Sequence, residues 1–219
     1  MKRNFCLIIP IVAVFILSCD NSNSNKYLGF LPYGMQKIDE ITQKYDRSIN
    51  ADADLQNTKE QFFKDIAKVE EINKKIETET KALSFPIEIP VKVDDICPFT
   101  IENIKFVKIE TSKNIGFSPN RFLYFEGEAT LKKDTTCLYQ GILTYCYFAD
   151  KNGKPIEINT SGVLDRQGKF INRNKFNAKE SFLLSINIKA SAKLINFDHI
   201  VFTSKEGYNK ALSEIKKVK

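Results

Sequence analysis

At Pro86 the spacing of apolar residues changes from that of a helix to that of a strand, and this change limits the fold more than any other feature of the 219-residue chain. Before it, Ile38, Ile41, Tyr45 and Ile49 repeat at three and four residues, the period of one helix face. Leu55, Phe62, Val69, Ile76 and Leu83 then recur every seven residues, with Lys59, Ile66, Asn73 and Thr80 at the companion positions. Half a coiled-coil seam is present, and three polar companions weaken any two-stranded coil built from this helix alone. With the turn-prone "NADAD" between the two runs, a helical segment is expected over 35–84, as a hairpin or a long helix. Self-association through the seam, making an oligomeric spacer, is the alternative.

After Pro86 the period falls to two. In "PIEIPVKV" Ile87, Ile89, Val91 and Val93 alternate with Glu88, Pro90 and Lys92, a strand with one buried face. Pro90 cannot donate to a ladder, so an edge strand is expected. Further strands are expected at 101–110, 121–132, 137–149, 154–160, 180–189 and 197–204. Leu123, Phe125, Ala129 and Leu131 share a face with Gly127, as do Phe182, Leu184, Ile186 and Ile188 with one another. The turn sequences "DKNG" at 150–153 and "DRQG" at 165–168 point to antiparallel hairpins. The expectation is α+β: a helical front, an antiparallel immunoglobulin-like β-sandwich over 85–204, and a short helix over 205–219.

The first eighteen residues follow a different logic. Lys2 and Arg3 precede a 13-residue run from Phe5 to Leu17 that is apolar apart from Pro10, too short for the roughly 20 apolar residues a spanning helix needs. A positive end, a greasy run and a small residue make a secretory signal. The run ends in Ile16-Leu17-Ser18-Cys19, followed by the polar "DNSNSNK". This stretch resembles the lipobox of bacterial membrane lipoproteins. The resemblance implies cleavage after Ser18 and a diacylglyceryl thioether on Cys19, making 1–18 a signal peptide and 19–34 a lipidated tether. In enteric bacteria Asp20 resembles a signal for retention at the inner membrane; which membrane holds this chain stays open. "TYCYFADKNGKPI" followed by "FNAKESFLLSINI" resembles FxLYD-type immunoglobulin-like modules of bacterial envelope proteins, and this covers 99–204 at most.

Without residues 1–18 the chain has 31 basic and 27 acidic residues, a formal charge of +4. Lys and Glu are interspersed, and no arginine-rich stretch alternates with aromatics, so nucleic acid is not an expected partner. An exported chain meets oxidising conditions in which thiols pair. Cys137 and Cys146 on one strand would lie about 30 Å apart, so the expected bridge is Cys97 with Cys137, leaving Cys146 in the core.

Candidate chemistry is sparse. His199 is the only histidine, and no serine has a nucleophile-elbow context to pair with it. A zinc site would require Cys97, Cys137, Cys146 and His199 to converge, and Asp150 opens a calcium-like loop whose later ligands are missing. No cofactor or metal is expected. Asp94 with Asp95, or Glu126 with Glu128, are the carboxylate pairs open to a hydrolase of envelope polymer. The expected function is a noncatalytic cell-envelope lipoprotein, anchored by acylated Cys19, whose body lies outside the cytoplasm and meets a protein partner. The row Phe122, Tyr124, Glu126 and Glu128 is the expected binding face.

Overall fold

The computed structural model describes residues 24–46, 55–112, 118–137 and 141–217. Two helices come first, α1 (Leu31–Asp46) and α2 (Leu55–Lys81). The strands are β1 (Ile87–Glu88), β2 (Val91–Val93), β3 (Phe99–Thr111), β4 (Arg121–Leu131), β5 (Thr135–Thr136), β6 (Leu143–Ala149), β7 (Pro155–Leu164), β8 (Lys175–Phe176), β9 (Ser181–Lys189) and β10 (His199–Thr203). A 3-10 turn, Ala192–Asn196, precedes β10, and α3 (Lys205–Lys217) follows it. The α+β class and the short final helix are as expected.

Eight strands form one curled sheet in the order β1-β3-β4-β9-β7-β6-β10-β2, and β5 pairs with β8 in a small ribbon. The sequence reading expects two facing sheets; hydrogen bonding instead runs through β7, whose first part pairs with β6 and whose end pairs with β9. The two strands at the ends of the order are neighbours in the chain. Pro90 has no N–H, so the expected single strand breaks there. Its first half bonds antiparallel to β3 and its second half bonds parallel to β10. Between them the Ile89 N–H donates to the Ile104 carbonyl at 3.0 Å, and the Pro90 carbonyl accepts from Ile200 N–H at 3.0 Å. One short stretch thus spans from one edge of the sheet to the other.

Inside the curl, the ring of Phe106 lies 5.0 Å from Phe125, Phe125 5.3 Å from Phe148, and Phe148 5.2 Å from Phe197. Such contacts are worth about 0.5–1.5 kcal/mol each beyond the area they bury. Both expected core faces, Leu123 to Leu131 and Phe182 to Ile188, are buried. Gly127 is the small residue between them because β3 bulges over it. Asn103 takes φ 57°, and a Cβ on Gly127 would stand 2.3 Å from Ile104 Cδ1 and 3.0 Å from the Glu102 carbonyl.

The stretch expected as tether is part of this body from Asn25 onward. Leu28 and Leu31 are fully buried, and the side chain of Asn25 is wedged against the 3-10 turn. Its Nδ2 donates to the carbonyls of Phe197 (2.7 Å) and Ile195 (3.2 Å), while its Oδ1 accepts from the N–H groups of Tyr27 (2.9 Å) and Leu28 (3.1 Å). Pro32, inside the stretch expected as tether, sits in the first turn of α1, where its missing N–H costs no helical bond.

Of the two expected arrangements, hairpin or long helix, the helices form the hairpin. Val69 and Ile76 of the heptad seam are buried against α1 and the chain leading into it, and a Cβ on Gly34 would meet Ile76 at 2.7 Å. Asp65, buried beside the C-terminal end of α1, accepts from Tyr45 Oη (2.8 Å) and Gln61 Nε2 (2.9 Å). The Tyr45 hydroxyl holds that carboxyl below its ordinary value. Asn73, a polar companion in the seam, accepts from the buried guanidinium of Arg121 at 3.0 Å, which joins α2 to the start of β4. The buried part of the seam is therefore covered by the chain's own elements. Ile49 lies outside the described residues.

Cys97, Cys137 and Cys146 are free thiols. Cys137 follows β5 rather than sharing a strand with Cys146, and no bridge joins it to Cys97. Cys146 is buried in the core, as is Cys97, and burial pushes both thiols up from their ordinary value.

Replacing Asn25 by Ala removes the side-chain partner of four backbone groups, two of them in buried bonds, and denaturant unfolding is expected to register a loss of about 2–4 kcal/mol. Asn25→Asp keeps the acceptor but sets a carboxylate against two carbonyls. It is expected to be no better than the alanine variant at pH 7; an aspartate as stable as the wild type would show that these contacts are idle.

Candidate functional site

Alternation along β4 and β9 sends every second side chain out of the curl. The expected row Phe122, Tyr124, Glu126 and Glu128 lies on that outer face, opposite Lys189, Asn187, Ser185 and Leu183 of β9. Glu126 and Glu128 are exposed; Phe122 and Tyr124 are half-buried. The Lys108 ammonium stands 4.6 Å over the Tyr124 ring and 2.5 Å from Glu110. A hydrogen bond from the Tyr124 hydroxyl to Glu110 raises the phenol from its ordinary value. The row is thus a polar surface with one ring held flat in it.

A second, apolar strip crosses the same face where β6, β7 and β9 meet. Leu143 is 47% exposed and stands opposite Gly162 on β7. Phe170, 78% exposed, turns back to bridge Leu164 and lays its ring against Gly162. Leu164 in turn stands opposite Leu183, which is 36% exposed and adjoins Glu128. The alternation that buries Ile142, Cys146 and Phe148 already points Leu143 outward, and the same holds for Leu183 beside Phe182 and Leu184. That signal lay in the sequence and the expected face omitted it.

Beyond the Val163 to Leu184 pair, β7 and β9 are spanned by a side chain: Asn159 Nδ2 donates to the Asn187 carbonyl at 2.9 Å. Here a groove of about 520 Å³ is lined by Asp39, Glu157, Asn159, Lys189 and Ser191, with Met35 beside them. Burial raises the Asp39 carboxyl from its ordinary value, and Lys189 offsets part of that. Glu157 is held at 3.3 Å by Lys193. The Ser191 hydroxyl is buried without a hydrogen-bond partner among the described residues.

The carboxylates expected for a hydrolase occupy other places. Asp94 and Asp95 follow β2 in a turn, and Glu126 and Glu128 stand on the solvated outer face. Asp150 spends one carboxylate oxygen on the N–H groups of Asn152 (2.8 Å) and Lys154 (3.0 Å), which shapes its turn. His199 is buried; its Nδ1 lies 3.0 Å from Asp198 Oδ2 and its Nε2 meets no partner among the described residues. Among the described residues no group of three or more His, Cys, Asp and Glu is placed to hold a metal ion, and no helix is long and apolar enough to cross a membrane. Cys19 lies outside the described residues. Comparison with known proteins gives no match to a family model, to a curated protein or to a solved structure.

Because the Asp39 carboxyl is raised in the fold, the unfolded chain releases this proton first as pH rises, so ionisation of Asp39 destabilises the folded state above the ordinary carboxylate range. Asp39→Asn is expected to raise the melting temperature slightly at pH 7, by about 1–3 °C, and to give no gain near pH 3, where both states are protonated. Melting curves at the two pH values check this; a loss at pH 7 would mean that attraction to Lys189 outweighs burial.

Proposed function

We propose that this chain is a noncatalytic lipoprotein of a bacterial cell envelope, held to a membrane through acylated Cys19, whose outer sheet face binds a protein partner. The observation that carries the binding part is the strip of Leu143, Phe170, Leu164 and Leu183, an apolar patch left open on the surface. Scattered apolar residues on a surface mean little, whereas a contiguous patch with a polar border is the usual make-up of a protein contact. Here Glu128, Glu126 and the Tyr124 row supply that border. Tyr is among the residue types over-represented at the centre of such contacts, which gives the expected row a place in the same surface.

The anchoring part rests on the Ile16-Leu17-Ser18-Cys19 sequence and the polar residues after it. Two acyl chains hold a protein stably where one does not, each buried methylene adding about 0.8 kcal/mol. The likeness to FxLYD-type modules enters as a proposal about use: an envelope protein offering a sheet face to its surroundings. The observed sheet reaches that use through a curl rather than a sandwich. A reading as a hydrolase of envelope polymer keeps one specific observation, the shared groove of Asp39 and Glu157. Against it stands the ion pair that engages Glu157 with Lys193.

Mass measurement of the processed protein is expected to give an acylated Cys19 as first residue, and Cys19→Ser is expected to move the protein from the membrane pellet to the soluble fraction. The paired substitution of Leu143 and Leu183 by Lys is expected to leave the melting temperature within about 3 °C of wild type, since both side chains are partly open to water and a lysine at 183 stands opposite Glu128. The same pair is expected to abolish cross-linking to whatever envelope protein the wild type captures. Capture that survives it would remove the apolar strip from the reading.

A further inference from the structure

Asn25, pinned to the 3-10 turn, is the point at which the chain leaves its body toward Cys19. Six residue steps separate the two, a reach of at most about 20 Å. A compact body of this length is about 40 Å across, so the link is too short to let it swing freely. If Cys19 carries lipid, one end of the body is held at the bilayer, and it is the end that bears Asn25.

The identity of that end follows from the topology. The Asp150 turn precedes β7 and lies beside Asn25; together with Lys26 and Asn196 they line a hollow of about 450 Å³. Next to it, sharing Asp150 and Asn196, is a second hollow of about 380 Å³ floored by Pro155, Ile156 and Ile215. Ile215 belongs to the last turn of α3, which begins beside the far end of β10 and runs back to this one, bringing Lys216 and Lys217 with it. Lys154 and Lys193 stand at the rim.

Charge at this end is mixed but uneven. Lys26 is paired with Asp198 at 2.6 Å, Lys193 with Glu157, and Asp150 bonds to its own turn. Lys151, Lys154, Lys216 and Lys217 form no ion pair among the described residues and reach into solvent. The last turn of a helix is also where the partial negative charge of its carbonyls draws cations, which concentrates lysine there.

We propose that this end, with Lys151, Lys154, Lys216 and Lys217 at its surface, docks on anionic phospholipid headgroups. The inference deepens the anchoring proposed above and rests on it. Charges are screened over about 8 Å at physiological salt, so lysines elsewhere on the body contribute little, while these four share the end of the body that the link, at most about 20 Å long, holds toward the bilayer. Each lysine close to an anionic surface multiplies residence there by about fivefold at most. The contact orients the body: the turn at Asp165 and the apolar strip point away from the bilayer.

The chain contains no Trp, so single tryptophans report position directly. Asn152 and Gln167 occupy the same place in the two Asp-x-x-Gly turns at opposite ends of β7, and both are exposed. Full-length acylated protein carrying Asn152→Trp or Gln167→Trp is placed on vesicles containing a headgroup spin label. With phosphatidylglycerol present, emission from Asn152→Trp is expected to be quenched about threefold more than that from Gln167→Trp. The difference is expected to shrink when phosphatidylcholine replaces phosphatidylglycerol, and equally when all four lysines become Glu. Equal quenching of the two tryptophans, or a difference indifferent to both changes while the protein still floats with the vesicles, overturns the docking and leaves the anchor standing. A mature mass without acyl chains overturns both.

Discussion

The arrangement of this molecule depends on one buried amide. Asn25 uses both ends of its side chain, donating to the carbonyls that close the 3-10 turn and accepting from the two N–H groups that begin the folded chain. A buried polar group of this kind is costly when left unpaired and specific when satisfied, because few other positions offer two donors and two acceptors at those spacings. It ties the beginning of the described chain to a turn some 170 residues later. The hairpin of α1 and α2 starts from that knot, and Leu194 and Phe197 are held in the core beside it.

The second organising constraint is the missing N–H of Pro90. A continuous strand at that position would pair along one neighbour and leave the opposite edge of the sheet without a partner. Breaking it lets Ile87–Glu88 serve β3 and Val91–Val93 serve β10. The sheet then wraps around the Phe106, Phe125, Phe148 and Phe197 rings in a single layer, with the helical hairpin and the 3-10 turn contributing to the same core.

Much of the secondary structure was legible because it follows from local periods. The seven-residue run gives α2, the alternations give β4 and β9 with their buried faces, and β3 and β7 overlap strands expected at 101–110 and 154–160. What was not legible depends on partners far apart in sequence. Nothing near Asn25 announces that its partners lie at Ile195 and Phe197, so the residues from Asn25 to Leu31 read as a polar and aromatic tether. The parallel pairing of β2 with β10 joins segments about a hundred residues apart and could not be inferred from either one. The Asp39 and Glu157 groove has the same character, since neither carboxylate has a neighbour in sequence that suggests the other. The apolar strip is intermediate: Leu143 and Leu183 were readable from alternation, whereas Phe170 belongs only through its fold back over Gly162.

The two Asp-x-x-Gly turns also fix a dimension. In each, a carboxylate oxygen accepts from the N–H groups two and four residues on, and the Gly takes positive φ, so both ends of β7 are rigidly terminated. The ten residues between them extend about 33 Å at strand spacing. If the Asp150 turn lies at a lipid surface, as proposed, β7 is a ruler: it would set the height at which the Phe170 strip is held above the headgroups, and so how tall a neighbour must stand to reach it.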